Sequence, residues 1–239
     1  MLLEVDSLEV RYGTVPAVRG ISFEVGEGEI VCFIGANGAG KSTTMLAIAG
    51  VLHPHRGDIR FGSRSIVGLT PEDIAALGVG LVPEGRRIFG RMTVRENLVV
   101  ASGLRGGIAG QKQTLDLIFD LFPILRERFD GKAGNLSGGE QQQLAIARAM
   151  LMRPRLMIVD EPSLGLAPKF VDLVYKTFAR LRDSGLTLLL VEQSMRRALS
   201  LANRVYLLQS GMIALHGQAT ELASRGDLEH IYFGGAAAP

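Results

Sequence analysis

Nine consecutive residues, Gly35-Ala36-Asn37-Gly38-Ala39-Gly40-Lys41-Ser42-Thr43, follow directly on the apolar run Ile30–Ile34 and constrain this chain more than any other stretch of it. They match G-x-x-x-x-G-K-[ST] in the setting that pattern requires, the end of a buried strand opening into a helix. Glycines remove the side chains that would hold a polyphosphate off the backbone, so successive N–H groups can turn inward at the helix start. A helix is expected from Lys41 to Ala49, ended by Gly50. In that frame Lys41 is a point charge between β and γ phosphates, the Ser42 hydroxyl is a Mg²⁺ ligand, and Thr43 donates to the α phosphate.

A second half-site is expected from Leu156–Val159, four apolar residues that lead into Asp160 and Glu161. A strand of this kind projects its last side chains from the C-terminal edge of a parallel sheet, where ligands bind. Asp160 then holds Mg²⁺ through its water shell, and Glu161 polarises the attacking water as general base. Without the glycine loop, the pair would read as solvated acids at a strand end.

The remaining pattern assigns the architecture. Val79–Val82 and Leu186–Val191 are, like Ile30–Ile34, apolar at consecutive positions, which predicts central parallel strands covered on both faces. Leu3 and Val5, Leu8 and Val10, then Ile21, Phe23 and Val25 alternate, predicting short antiparallel strands with a turn at Tyr12-Gly13. Helical spacing over residues 86–153, as in Leu115, Ile118, Phe119 and Phe122 and then Leu144, Ala147 and Leu151, predicts a helical insertion. Two strands around Ser210-Gly211 and a frayed tail at 234–239 complete the chain. The expected fold is α/β: a P-loop NTPase core with a mostly parallel sheet, an N-terminal antiparallel β subdomain and an inserted helical subdomain, all in one domain spanning 1–239.

Composition narrows the partners. With 47% hydrophobic and 21% charged residues, the chain has material for a sizeable core and is not of the disordered class. A net charge of +2 gives no basic excess, so no nucleic-acid partner is expected. The acidic, alternating start is no targeting segment, and no apolar run reaches the roughly 20 residues of a membrane span. Cys32 excludes an internal disulfide, and His53, His55, His216 and His230 show no metal-ligand spacing.

Leu136–Gln143, LSGGEQQQ, is read as a helix start: Ser137 caps, Glu140 completes an S-x-x-E capping box, and Gly138 and Gly139 expose N–H groups at the positive end of the dipole. That is a second phosphate receptor. In sequence, order and spacing it resembles the signature motif of ABC ATPases, and the resemblance covers essentially the whole chain. It implies ATP and Mg²⁺ as cofactors and a head-to-tail dimer in which Ser137, Gly138, Gly139 and Glu140 close on the partner's ATP. It also implies that Tyr12 stacks on adenine, although an ordinary strand tyrosine is the other reading of that position.

Three positions depart from the family's usual pattern. Glu84 stands where a glutamine commonly touches Mg²⁺ and the attacking water, Gln193 replaces the switch histidine, and Ala167 replaces an aspartate. With PEGR, DEPSLGLAP and VEQ, these resemble one paralogue among the ATP-binding subunits of branched-chain amino acid transporters. Glu84 adds negative charge near the γ phosphate, and Gln193 cannot carry a histidine's positive charge, so modest turnover is expected of the isolated chain. The resemblance further implies membrane permease subunits as partners, with Arg86, Arg87 and Phe89 as contact candidates or else a solvated basic turn. A paralogous ATP-binding subunit or a second copy would complete the dimer, an extracytoplasmic solute-binding protein would act indirectly, and the chain would lie peripherally on the cytoplasmic face of the membrane. Urea, short amides and other amino acids stay open as solutes. Lipid or polysaccharide exporters are a more distant reading, as are non-transport ABC ATPases, which usually fuse two such domains or insert a coiled coil.

Overall fold

The computed structural model describes residues 1–103 and 107–225, and the expected frayed tail lies outside them. The chain opens on a long hairpin, β1 (Leu3–Tyr12) and β2 (Val15–Val25), rather than on short strands. A bulge explains the difference: Ser7 adopts φ 48°, and the register shifts between Val5 and Leu8. The extra residue resets the alternation, so Leu3, Val5, Leu8 and Val10 are all buried on one face of a continuous strand.

The all-apolar β3 (Ile30–Ile34) runs into the glycine loop and α1 (Lys41–Ile48). Then follow β4 (Arg56–Phe61), β5 (Arg64–Ser65), α2 (Pro71–Leu77) and β6 (Val79–Val82). The strands β2-β1-β4-β5, in that order, make an antiparallel sheet. The expectation of an N-terminal antiparallel unit is met, with β4 and β5 added.

Between β6 and β7 (Leu156–Asp160) lie α3 (Val94–Ser102), α4 (Lys112–Leu121), α5 (Pro123–Glu127) and α6 (Gly138–Leu151). The starts of α3 and α5 have local causes. Thr93 and Glu96 form a reciprocal capping box for α3, and buried Asn97 bonds back to the Phe89 and Thr93 carbonyls at 3.0 and 2.9 Å. Pro123 at the first position of α5 suits its fixed φ. The chain continues through α7 (Pro168–Asp183), β8 (Thr187–Glu192), α8 (Met195–Leu201), the hairpin β9 (Arg204–Gln209) and β10 (Met212–Gln218), and α9 (Ala219–Ala223).

The central sheet has the order β10-β9-β3-β8-β7-β6 and is parallel except at its β9–β10 edge. Alternate residues of its strands feed two cores. Cys32, Val159, Leu188 and Leu190 face the helical side, where Ile118, Phe122 and Leu144 of the insertion pack into the same cluster. Val31, Phe33, Ile158 and Leu189 face the other side, which α1 fills with Met45 and Ile48 beneath the antiparallel sheet. Burying both faces accounts for the consecutive apolar residues. It also places the C-terminal ends of β3, β7 and β8 side by side at one edge.

Candidate functional site

The glycine loop leaves that edge through positions that tolerate no side chain. A Cβ on Gly35 (φ 153°) would sit 2.3 Å from the Leu208 carbonyl oxygen, and one on Gly40 (φ 102°) 2.7 Å from that of Ala17. Within the loop Gly35 and Ala39 are buried and Ala36 is exposed, and the Ala39 N–H donates to the Ala36 carbonyl at 3.1 Å. Gly40 precedes α1 and offers its first N–H groups no side-chain cap. Such a helix start, fronted by positive-φ glycines, suits an anion.

Above the loop lies a cavity of about 510 Å³ lined by Asn37, Gly38, Gly40, Lys41, Ser42 and Thr43, and by Tyr12, Glu84, Glu161 and Gln193 from other elements. Tyr12, half exposed at the end of β1, places its hydroxyl 3.5 Å from that of Thr43. Lys41 is buried; its Nζ donates to the Gly35 and Ala36 carbonyls at 2.8 and 3.0 Å and lies 4.0 Å from Glu161 Oε1. Burial pushes the Lys41 ammonium pKa down, opposed by the Glu161 and Asp160 carboxylates.

Asp160 ends β7 beneath this cavity. It is buried, its Oδ1 has no hydrogen-bond partner, and burial pushes its carboxyl up in pKa against a hydrogen bond from the Ser42 hydroxyl. Ser42, Asp160 and the exposed Glu84 present oxygen donors only, the chemistry that a hard cation such as Mg²⁺ takes. The orphaned Asp160 oxygen fits that use. Among the described residues no group of three or more His, Cys, Asp or Glu side chains is placed to hold a metal.

Glu161 adopts φ 47°, a left-handed conformation that costs a residue with a Cβ on the order of 1–3 kcal/mol. Its N–H donates to the Val191 carbonyl at 3.1 Å, which ties the turn to β8. Its carboxylate accepts from Gln193 Nε2 at 2.7 Å on one oxygen and faces Lys41 on the other. Gln193, at the switch-histidine position, thus holds the carboxylate that faces the phosphate loop.

The signature residues do not line this cavity. Ser137 is extended at the start of α6, and its N–H donates to Glu140 at 2.7 Å, the predicted half of the capping box. Gly139 is buried, and a Cβ there would lie 2.1 Å from the ring of Phe170, in the first turn of α7. A Cβ on Gly138 would meet the Arg86 guanidinium at 3.1 Å. Both glycines are thus the room that a neighbouring side chain occupies.

Arg86 lies against the start of α6. It is half-buried, 3.4 Å from Gln141 on α6, within a run Gly85-Arg86-Arg87 that is left-handed throughout. The Arg87 carbonyl accepts from Arg148 at 2.7 Å, and the Arg148 guanidinium covers the ring of Phe89, which remains 42% exposed. Sequence reasoning missed Phe170 and Arg148, whose spacing is that of ordinary helix residues. It also gave no role to Glu192, although an acid that ends the apolar run LLLV was a usable signal.

Comparison with known proteins bears on these residues together. A family model described as ABC transporter matches residues 18–164. The high-affinity branched-chain amino acid transport ATP-binding protein BraG of Pseudomonas aeruginosa is 42% identical over 98% of this chain and 100% of its own length. The probable branched-chain amino acid transport ATP-binding protein LivF of Archaeoglobus fulgidus is 34% identical over 98% of this chain and 99% of its own. The crystal structure of the ADP conformation of MJ1267, an ATP-binding cassette of an ABC transporter, superposes with a TM-score of 0.82 at 26% identity, covering 98% of each chain.

Proposed function

This chain belongs to the ABC transporter ATP-binding family, and from that membership we propose that it is the Mg²⁺-dependent ATPase subunit of an importer of branched-chain amino acids. The observation that carries the catalytic part is the Glu161 carboxylate, held by Gln193 at 2.7 Å and facing Lys41 across the phosphate loop. The solute assignment rests on full-length similarity to BraG and LivF.

ATP binds with its phosphates against the Gly35–Thr43 loop and its base beside Tyr12. Lys41 gives up its loop carbonyls for phosphate oxygens. Glu161 takes a proton from water while that water's oxygen bonds to the γ phosphorus and the bond to the β–γ bridging oxygen breaks, leaving ADP and phosphate. Gln193 orients the accepting carboxylate. Ser42, Asp160 and Glu84 would hold Mg²⁺, whose contribution there is to neutralise charge on the phosphate oxygens. Ser137, Gly138, Gly139 and Glu140 serve the γ phosphate of a second ATP-binding subunit, a paralogue or a second copy. The chain works as one domain, 1–239, with residues 86–153 as its helical subdomain. It docks on permease subunits at the cytoplasmic face of the membrane, and a solute-binding protein acts on it only through them. No helix among the described residues is long and apolar enough to cross a membrane.

Two measurements test this. Glu161→Gln should abolish steady-state hydrolysis while retaining ATP binding; normal turnover would remove Glu161 as the base. In liposomes containing the permease subunits and a solute-binding protein, ATPase activity should rise with leucine, isoleucine or valine. A rise with urea or short amides alone would reassign the solute.

A further inference from the structure

Strand β8 is buried along its whole length, and its last residue is an acid. The two-residue period that points Leu188 and Leu190 into the helical-side core points Glu192 there too, and Glu192 is only 2% exposed. A carboxylate in that position is costly unless its oxygens are hydrogen-bonded. Both are. Tyr175 of α7 donates its hydroxyl to Oε1, and Ser163, two residues beyond Glu161, donates to Oε2 at 3.3 Å. Arg197 of α8 donates to the Ser163 hydroxyl oxygen at 3.1 Å and lies over the Tyr175 ring at 6.0 Å. Four segments therefore meet at one buried carboxylate: the end of β8, the turn after β7, α7 and α8.

Its two chain connections lead straight to the site. The residue after Glu192 is Gln193, the donor to Glu161, and Ser163 lies in the turn that holds Glu161 at φ 47°. The carboxylate thus fixes both ends of the Gln193–Glu161 hydrogen bond from behind. Without such a tether, a left-handed glutamate would relax toward an ordinary conformation.

We propose that Glu192 is a positioning residue for ATP hydrolysis: by accepting from Tyr175 and Ser163 it holds the Glu161 turn and Gln193 in the register that aims the Glu161 carboxylate at the phosphate loop. This rests on Glu161 as the base. Burial pushes the pKa of both the Glu192 carboxyl and the Tyr175 hydroxyl upward, so the tyrosine stays protonated as a donor. Glutamine at position 192 has one acceptor oxygen for two donors, and phenylalanine at position 175 removes one donor.

The test is steady-state ATPase kinetics on the full chain. Glu192→Gln should lower kcat about tenfold and leave KM for ATP within about twofold, because the phosphate loop is not part of the tether. In a Gln193→Ala background the same substitution should cost less than about twofold further, since both act through one hydrogen bond. Tyr175→Phe and Ser163→Ala should show smaller losses with the same non-additivity, and they carry the test if Glu192→Gln does not fold. An unchanged kcat in a folded Glu192→Gln chain, with or without a lower melting temperature, would overturn the proposal. So would losses from Glu192→Gln and Gln193→Ala that multiply independently. Glu161→Gln separates the two levels: an inactive Glu161→Gln beside a normal Glu192→Gln overturns the tether alone, whereas an active Glu161→Gln overturns the base on which it rests.

Discussion

At the scale of single residues, the site is built from buried acids whose charged forms are held at a cost. Burial raises the pKa of both Asp160 and Glu192. Between the ordinary carboxylate range, about 4, and those raised values, the folded chain keeps protons that the unfolded chain has released. Their contribution to stability is therefore complete below the ordinary range and lost as pH rises through the folded values. The melting temperature of the nucleotide-free chain should fall as pH rises above the ordinary carboxylate range, and Asp160→Asn should flatten that slope. Circular dichroism melts at several pH values check this; an identical slope in Asp160→Asn would remove Asp160 from the account. Lys41, lowered by burial, acts in the opposite sense at alkaline pH, as its ammonium is retained more readily unfolded. The presence of Asp160 and Glu161 at a strand end was readable from LMIVDE, but the burial that shifts Asp160 was not, since it depends on what packs over the strand.

At the scale of elements, the parallel strands were legible because two covered faces leave no polar phase, as in Ile30–Ile34 and Leu156–Val159. The sequence did not reveal β4, whose RGDIRF carries only Ile59 and Phe61 as apolar residues, nor the bulge at Ser7 that joins two apparent strands. The start of α6 holds a contact that local pattern cannot show: Gly139 leaves the room that Phe170 of α7 fills, between segments some thirty residues apart. Gly139→Ala should displace that ring and destabilise the chain by about 1–3 kcal/mol, the usual cost of overpacking. Adding Phe170→Ala should recover part of the loss, and chemical denaturation of the single and double variants measures it. A Gly139→Ala chain as stable as the parent would show that the ring has room to move.

At the scale of the whole molecule, the helical insertion is not a separate body. Ile118, Phe122 and Leu144 belong to the cluster that contains Val159, Leu190 and Cys32 of the central sheet. Helical spacing such as that of Leu144, Ala147 and Leu151 carries no information on whether these helices keep a core of their own. A shared core has a calorimetric consequence. The insertion cannot melt while the sheet stays intact, because its apolar face would lose the surface it rests on, so heating should give one endotherm whose van't Hoff enthalpy matches the measured heat. Two resolved endotherms would mean that the helices possess a latent autonomy which the packing does not suggest.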